Sequence, residues 1–281
     1  TSTDDPSPHS PGPWEHRVFR ATSTDGLNWR RDGTWLFDPA SVPGAVMDIS
    51  GNVFLYYVQI GSAEATEKLM VASSTDGLNF SVPIEVNMTG TTVTRRVDPN
   101  PVLLPDGSIR LYYLDFDVIP TKDIHSAISY DGVNFTAEEG IRFTKTDATD
   151  PDVFSANDKW VMFVSQPTMG TSMTRATSID GINFTEDPSW AWNNGGISST
   201  FEFPGSVYRT YYCGMLGVQS AISTDGYNLT IEKGSRLTKP QGEVVCDPTI
   251  VELTPSNYIM YFKSFDDDRT SDMTPGINSV P

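Results

Sequence analysis

Three Asp-Pro dipeptides, Asp98-Pro99, Asp150-Pro151 and Asp247-Pro248, are the residues of this chain best suited to chemistry. Carboxylates brought together by a fold raise one another's pKa, so that one keeps a proton while another stays ionised. General acid and base work needs such a pair. Each dipeptide also has a structural reading, because Asp at a strand entry caps nearby N–H groups. The choice turns on whether the three meet. Two further sets bear on compartment. Cys213 and Cys246 are the only cysteines, and the sequence leaves open a disulfide or two thiols. Asn-X-Ser/Thr triplets begin at Asn79, Asn87, Asn134, Asn183 and Asn228, which makes these candidate N-glycosylation sites. Only three histidines are present, two of them near the start, which argues against a His-rich zinc site. No Gly-rich phosphate loop or Ser-His-Asp arrangement stands out.

The elements that must position these residues are written in a repeat. Ser-X-Asp-Gly-X-Asn followed by an aromatic residue or Leu occurs five times, with its aspartate at Asp25, Asp76, Asp131, Asp180 and Asp225. Spacings of 45 to 55 residues are too long for helical solenoids and suit a four-stranded propeller blade. The box has the chemistry of a tight hairpin. Its Asp accepts hydrogen bonds from N–H groups just ahead, its Gly supplies a positive φ, and the aromatic residue starts the next strand. Because Asn forms turns well on its own account, four of the five sequons are as well explained by the turn as by glycosylation. Apolar aromatic strands recur in phase with the boxes, at "VFLYYV", "IRLYYLDF", "WVMFVSQ", "VYRTYYCG" and "YIMYFKSF", each preceded by a shorter strand, and the first four by a turn signal as well. Each unit therefore reads strand A, turn, strand B, longer loop, strand C, box, strand D. No segment has a convincing helical period.

The first box has one strand before it and the last strand pair has no box after it. We therefore expect an all-β, five-bladed β-propeller of four-stranded antiparallel blades, its last blade built from N-terminal strands C and D joined to C-terminal strands A and B. Such a closure leaves no open edge. The expected limits are a Pro/Ser-rich tail at 1–15, the propeller at 16–265 and a polar tail at 266–281. The tails read as disordered, as linkers or as arms for self-assembly.

With its five boxes and Asp-Pro strand starts, the sequence resembles the five-bladed propeller glycosidases, the arabinanase, invertase and levansucrase type that includes glycoside hydrolase family 43. The box is also similar to the Asp-box of sialidases, although those have six blades and an Arg triad not found here. The resemblance covers about 16–265. It implies a sugar bound over the central channel, where each strand A begins, with the boxes on the opposite face. Aligning the strand A starts gives Val42, Asp98, Asp150, Ser199 and Asp247. The implied catalytic set is thus Asp98, Asp150 and Asp247. Such enzymes also use a Glu as acid, and no strand A offers an obvious one. Glu243 or Glu202 could supply it, with Glu243 nearer the pocket end. By direction, Arg96, Asp115, Gln166, Trp190 and Trp192 fall near the same rim as sugar contacts, although either Trp could be core packing. Gln59, Asp117, Lys263 and Asp266 also reach that end. "LDFD" (114–117) and "FDDD" (265–268) could hold Ca²⁺ or be solvated loop charge; no cofactor is required. Cys213 and Cys246 fall at the same face of neighbouring blades, where a disulfide would fit an oxidising compartment.

The charge of -17 sets the remaining limits, since a chain this acidic is repelled by nucleic-acid phosphates and anionic membranes. No apolar run approaches the ~20 residues of a membrane helix. The chain starts at Thr1 without a visible signal peptide, as a processed end would. Acidity, sequons and cysteines together suggest a secreted protein. The expected function is a secreted glycoside hydrolase acting on an oligo- or polysaccharide. The alternative is a non-catalytic glycan-binding or structural extracellular propeller within a larger assembly.

Overall fold

A computed structural model describes residues 12–62, 65–166 and 172–266. A single turn of 3-10 helix (Pro13–Glu15) precedes β1 (Arg17–Ser23) and β2 (Arg30–Arg31). The first complete blade is β3 (Ser41–Met47), β4 (Val53–Gln59), β5 (Lys68–Ser74) and β6 (Ile84–Glu85). A short β7 (Asn87–Thr89) joins the second blade, which is β8 (Arg96–Leu103), β9 (Ile109–Asp115), β10 (Thr121–Ser129) and β11 (Asn134–Ala137), with β12 (Phe143–Thr146) also paired to β10. The third comprises β13 (Thr149–Ala156), β14 (Lys159–Gln166), β15 (Ser172–Ser178) and β16 (Thr185–Glu186). The fourth comprises β17 (Gly196–Phe203), β18 (Val207–Gly214), β19 (Gly217–Ser223), β20 (Thr230–Ile231) and β21 (Leu237–Thr238). Finally β22 (Glu243–Thr254) and β23 (Asn257–Asp266) pair with β1 and β2 in the order β2-β1-β23-β22. The chain is a five-bladed β-propeller, and the expected two-plus-two closure is present, with Arg17 opposite Ser264 and Ser23 opposite Tyr258. The proposed terminal arms fall largely outside the described residues.

The core is not one cluster. Five groups of buried side chains each straddle one seam between neighbouring blades. The strand B aromatics explain how the boxes hold these seams. Tyr56, Tyr112, Tyr211 and Tyr261 are buried, and a buried phenol needs a hydrogen-bond acceptor. Each donates its hydroxyl to the box glycine carbonyl of the next blade, Gly132, Gly181, Gly26 and Gly77 respectively, at 2.7–2.8 Å. The third blade has Phe163 at the equivalent place on β14, and there Asn157 donates instead to the carbonyl of Asp225 at 3.3 Å.

Within every box the same hydrogen bonds recur. In the third, the Asp131 carboxylate accepts the N–H groups of Val133 and Asn134 at 2.9 and 2.7 Å, the Asn134 amide at 2.7 Å, and the Ser129 hydroxyl at 3.0 Å. Gly132 must be glycine, because its φ is +74° and a Cβ there would meet the Phe54 ring at 2.5 Å. Asn79, Asn134, Asn183 and Asn228 all donate to their box Asp in this way, and so does Asn28, which starts no sequon. The turn alone therefore accounts for asparagine at this position. Asn87 stands apart and donates to the side-chain oxygen of Asn134 at 2.9 Å.

Candidate functional site: carboxylates at the channel mouth

All five inner strands make the same irregular step as they begin. The ladders of β3, β8, β13, β17 and β22 slip at Ser41/Gly44, Val97/Asn100, Thr149/Pro151, Gly196/Ser198 and Cys246/Thr249. Each slip contains one residue in the left-handed region: Val42 (φ 45°), Asp98 (53°), Asp150 (48°), Ile197 (55°) and Asp247 (50°). For β-branched Val42 and Ile197 that conformation is costly, about 1–3 kcal/mol each, and persists only where the surroundings impose it. The fourth strand start is therefore Ile197 and not Ser199. The expected alignment slid by two residues because Ser reads as a turn former and Ile does not.

The left-handed step places these side chains around one small cavity at the end of the channel. Val42, Asp98, Asp150, Ile197 and Asp247 all line it, and it encloses about 30 Å³, room for a group the size of one water. The three Asp-Pro aspartates are thus brought together. Asp98 Oδ2 accepts the backbone N–H of Asp150 at 3.0 Å. Asp247 is buried, with its side chain 3% exposed, and forms an ion pair with Lys263 of the adjacent β23. Its Oδ1 has no hydrogen-bond donor. Burial raises the Asp98 carboxyl to about 6, aided by the charge of Asp247 and opposed by the N–H of Asp150. Asp150 is pushed well above the usual carboxylate range, by burial first and then by Asp98 and Asp247. Burial pulls the Lys263 ammonium down, but Asp247 outweighs it and holds Lys263 above its ordinary value. The site therefore holds two carboxyls whose ionisation is disfavoured by burial and by their acidic neighbours, Asp150 and Asp98, and one fixed to a lysine.

The other expected site residues do not line the cavity. Glu243 begins β22 but turns outward, its carboxylate taken by Arg31 and by the Ser264 hydroxyl. Trp192 is core packing against Tyr212, and its strand bridge to Met173 fixes it there. Trp190 stacks on Phe163 at 5.1 Å and donates its indole N–H to the carbonyl of Tyr227. Both pack into the seam between blades three and four because apolar surface is more favourably buried than left on the rim. Arg96 donates back to the carbonyl of Val93 at 2.6 Å. Gln166 bridges the Thr146 carbonyl and the Thr174 hydroxyl. Asp115 caps the N–H of Asp117, whose own carboxylate takes Thr94 and Arg95. These two acids do not converge on a cation position, and Asp267 and Asp268 lie outside the described residues. Among the described residues, the acid, thiol and imidazole atoms close enough to share a metal are those of Cys213, Cys246 and Asp247. The two cysteines are joined in a disulfide with Cα atoms 5.2 Å apart, which ties the end of β18 to the start of β22. The N–H of Asp247 points at Cys213 Sγ at 3.1 Å. No helix among the described residues is long and apolar enough to cross a membrane.

Sequence reasoning missed Asp152, the second acid of "DPDVF". It is buried and accepts the Ser198 hydroxyl at 2.9 Å and the Thr200 N–H and hydroxyl at 3.0 and 2.7 Å, linking blades three and four along the channel wall. Its place two residues after Asp150 on an inner strand was the available signal. Lys263 was legible as a rim residue, but its pairing with Asp247 was not.

Neither a family model nor a curated protein sequence matches the chain. Solved structures do. A thermostable family-43 glycoside hydrolase superposes with a TM-score of 0.64 at 14% identity, covering 82% of this chain and 89% of that one. An N-acetylgalactosamine deacetylase from F. plautii, in complex with blood group B trisaccharide, gives 0.60 at 13% identity over 83% and 81%. A family-43 β-xylosidase/α-arabinofuranosidase from a compost metagenome, in complex with xylotriose, gives 0.55 at 16% identity over 79% and 84%. At these identities the likeness shows the fold, which is the five-bladed propeller of the family-43 glycoside hydrolases.

Proposed function

We propose that the protein is a carbohydrate-active propeller that hydrolyses a glycosidic bond at the channel mouth. One observation carries the reading: Asp98, Asp150 and Asp247 make the same left-handed step on three different inner strands and converge on one cavity. Glycosidases use two carboxyl groups of opposite protonation flanking the scissile bond. Asp150, whose carboxyl is pushed well above the usual range by burial and then by Asp98 and Asp247, would act as the acid that protonates the leaving oxygen. Asp98, ionised above its raised pKa, would act as base or nucleophile. Asp247, fixed by Lys263, would orient the sugar rather than transfer a proton. The sugars named in the complexes of two fold neighbours are consistent with an oligosaccharide in this place.

A screen of aryl-glycosides and plant and algal polysaccharides tests the proposal. Turnover by the wild type should fall by at least about a hundredfold in Asp150→Asn, the scale of a lost general acid. Turnover untouched by Asp98→Asn, Asp150→Asn and Asp247→Asn alike would exclude the assignment. A second reading, glycan binding without hydrolysis, is favoured by the Lys263 ion pair on Asp247 and by the lack of a glutamate lining the cavity. Saturable sugar binding with no turnover on any substrate would select it. Secretion is part of the proposal and is supported by the disulfide, which persists in oxidising compartments.

A further inference from the structure

We propose that the opposite end of the channel, on the face of the boxes, is a second ligand site that takes one uncharged sugar ring. It is separate from the channel mouth and does not rest on hydrolysis there. At this end the channel opens into a funnel of about 570 Å³, within the ~300–1,000 Å³ usual for small-molecule sites. The residues that line it fix its place: 103–105 at the β8–β9 turn, and Phe154, Ser155 and Trp160 at the β13–β14 turn. Trp160 packs under the box of its own blade, since a Cβ on Gly181 would stand 3.0 Å from its ring.

A polar belt separates the funnel from the mouth. Two residues beyond each left-handed step stand Gly44, Asn100, Asp152, Ser199 and Thr249, one from each inner strand. Asn100, Ser199 and Thr249 line both the small cavity and the funnel. Asn100 Oδ1 accepts the N–H of Val153 at 3.0 Å, which leaves its NH2 unspent. Thr249 Oγ1 accepts the N–H of Ala45 at 3.0 Å and keeps its own proton. The Asn100 NH2 and the Ser199 hydroxyl have no partner among the described residues, and both side chains are half-buried and open to the channel.

These donors decide the ligand. A wholly apolar molecule would cover them without supplying partners, which is costly. An anion is repelled, because the ionisable groups lining the funnel are Asp152 and Glu202, with no cation among them. A cation gains little either. Asp152 is already taken by the Ser198 hydroxyl and by the N–H and hydroxyl of Thr200, and Glu202 is exposed at the rim, where an ion pair is weak. An uncharged ring with oxygen acceptors at its edge and an apolar face meets both the belt and the walls, which are Leu103, Phe154, Trp160, Phe201 and Ile250. A neutral sugar has that profile.

Calorimetric titration with cellobiose, xylobiose and lactose tests the inference, with digalacturonate, glucosamine dimer and benzyl alcohol as contrasts. At least one neutral disaccharide should bind, at least about tenfold tighter than any of the contrasts. Phe201→Ala should weaken it at least about tenfold and Ser199→Ala at least about threefold, with thermal melting confirming the fold. Ser155→Trp, which fills the funnel from its exposed rim, carries the same expectation should Phe201→Ala fail to fold. Asp98→Asn, at the mouth and outside the funnel, should leave the affinity within about twofold. Weakening by Asp98→Asn with none by the funnel variants places the sugar at the mouth and overturns the inference while supporting the glycan reading. Charged dimers or benzyl alcohol binding as tightly as the neutral sugars overturn the ligand class. Failure of every neutral disaccharide to bind overturns the site, and the turnover screen then decides the mouth by itself.

Discussion

At the scale of single residues, the channel mouth stores unfavourable free energy. Asp98 and Asp150 sit where burial and like charge disfavour ionisation, with few donors to compensate. The consequence for stability has a definite sign. The Asp98 carboxyl is raised to about 6 in the folded protein, against about 3.9 in an unfolded chain. Between those values the native state binds a proton that the unfolded state has released, so stability falls as pH rises from about 4 to about 6 and then levels off with respect to this group. Urea unfolding across that range should show the decline, and Asp98→Asn should flatten it. An unchanged slope in Asp98→Asn would mean that other groups carry the dependence. The box aspartates behave in the opposite sense. Burial acts against Asp131, but hydrogen bonds led by that of Asn134 hold it down to about 2, so its contribution persists until strongly acid pH. The five boxes were legible in the sequence because each role in the turn is confined to one or two residue types: hydroxyl acceptor, carboxylate cap, positive-φ glycine, amide donor. The channel mouth was legible only in part. Asp98, Asp150 and Asp247 announced themselves as Asp-Pro, but Ile197 makes the same backbone step with a side chain that carries no turn signature. Trp190 and Trp192 show the same limit, since an aromatic residue beside a pocket and one in a seam are the same letters.

At the scale of elements, the propeller is held by links between blades more than by any blade alone. The tyrosine hydroxyls on β4, β9, β18 and β23 are the clearest of them, because each is buried and reaches the box glycine carbonyl of the next blade. Tyr112→Phe should cost about 1 kcal/mol, the net value of a buried neutral hydrogen bond, with the Gly181 carbonyl left unsatisfied. Equilibrium unfolding would measure it, and a loss below a few tenths of a kcal/mol would show that the link is ornamental. Phe163 in the third blade shows that one such link can be replaced by a different contact, here Asn157 on Asp225. Polar clamps repeat beside these links. Arg110 grips Glu138 with two hydrogen bonds at 2.9 Å, and Arg209 grips Glu232 at 2.7 and 3.1 Å, in each case with a strand C serine on the same Glu. The paired charges on strands B and D hold the outer strand, which is otherwise only two to four residues long, against its blade.

At the scale of the molecule, ring closure is what converts five marginal sheets into one protein, since a lone four-stranded blade buries little of its two faces. The disulfide adds a covalent stitch between blades four and five, next to Asp247. It closes a 33-residue separation, for which chain-entropy arguments give about 3–4 kcal/mol. Cys213→Ser/Cys246→Ser should lower the thermal midpoint by several degrees and weaken sugar binding by more than the loss of stability explains, because Asp247 loses its neighbour. Equal binding in the two proteins at a temperature where both are folded would separate the stitch from the site.

The pairing of β1 with β23 has a consequence in time. Arg17 meets Ser264 and Phe19 meets Phe262, so β1 leaves the ribosome with only the two-residue β2 beside it and waits for β23 until four complete blades have been made. Until then one edge of β1 is unpaired and open to wrong partners of its own kind. The order of synthesis thus leaves closure of the ring until after the four complete blades.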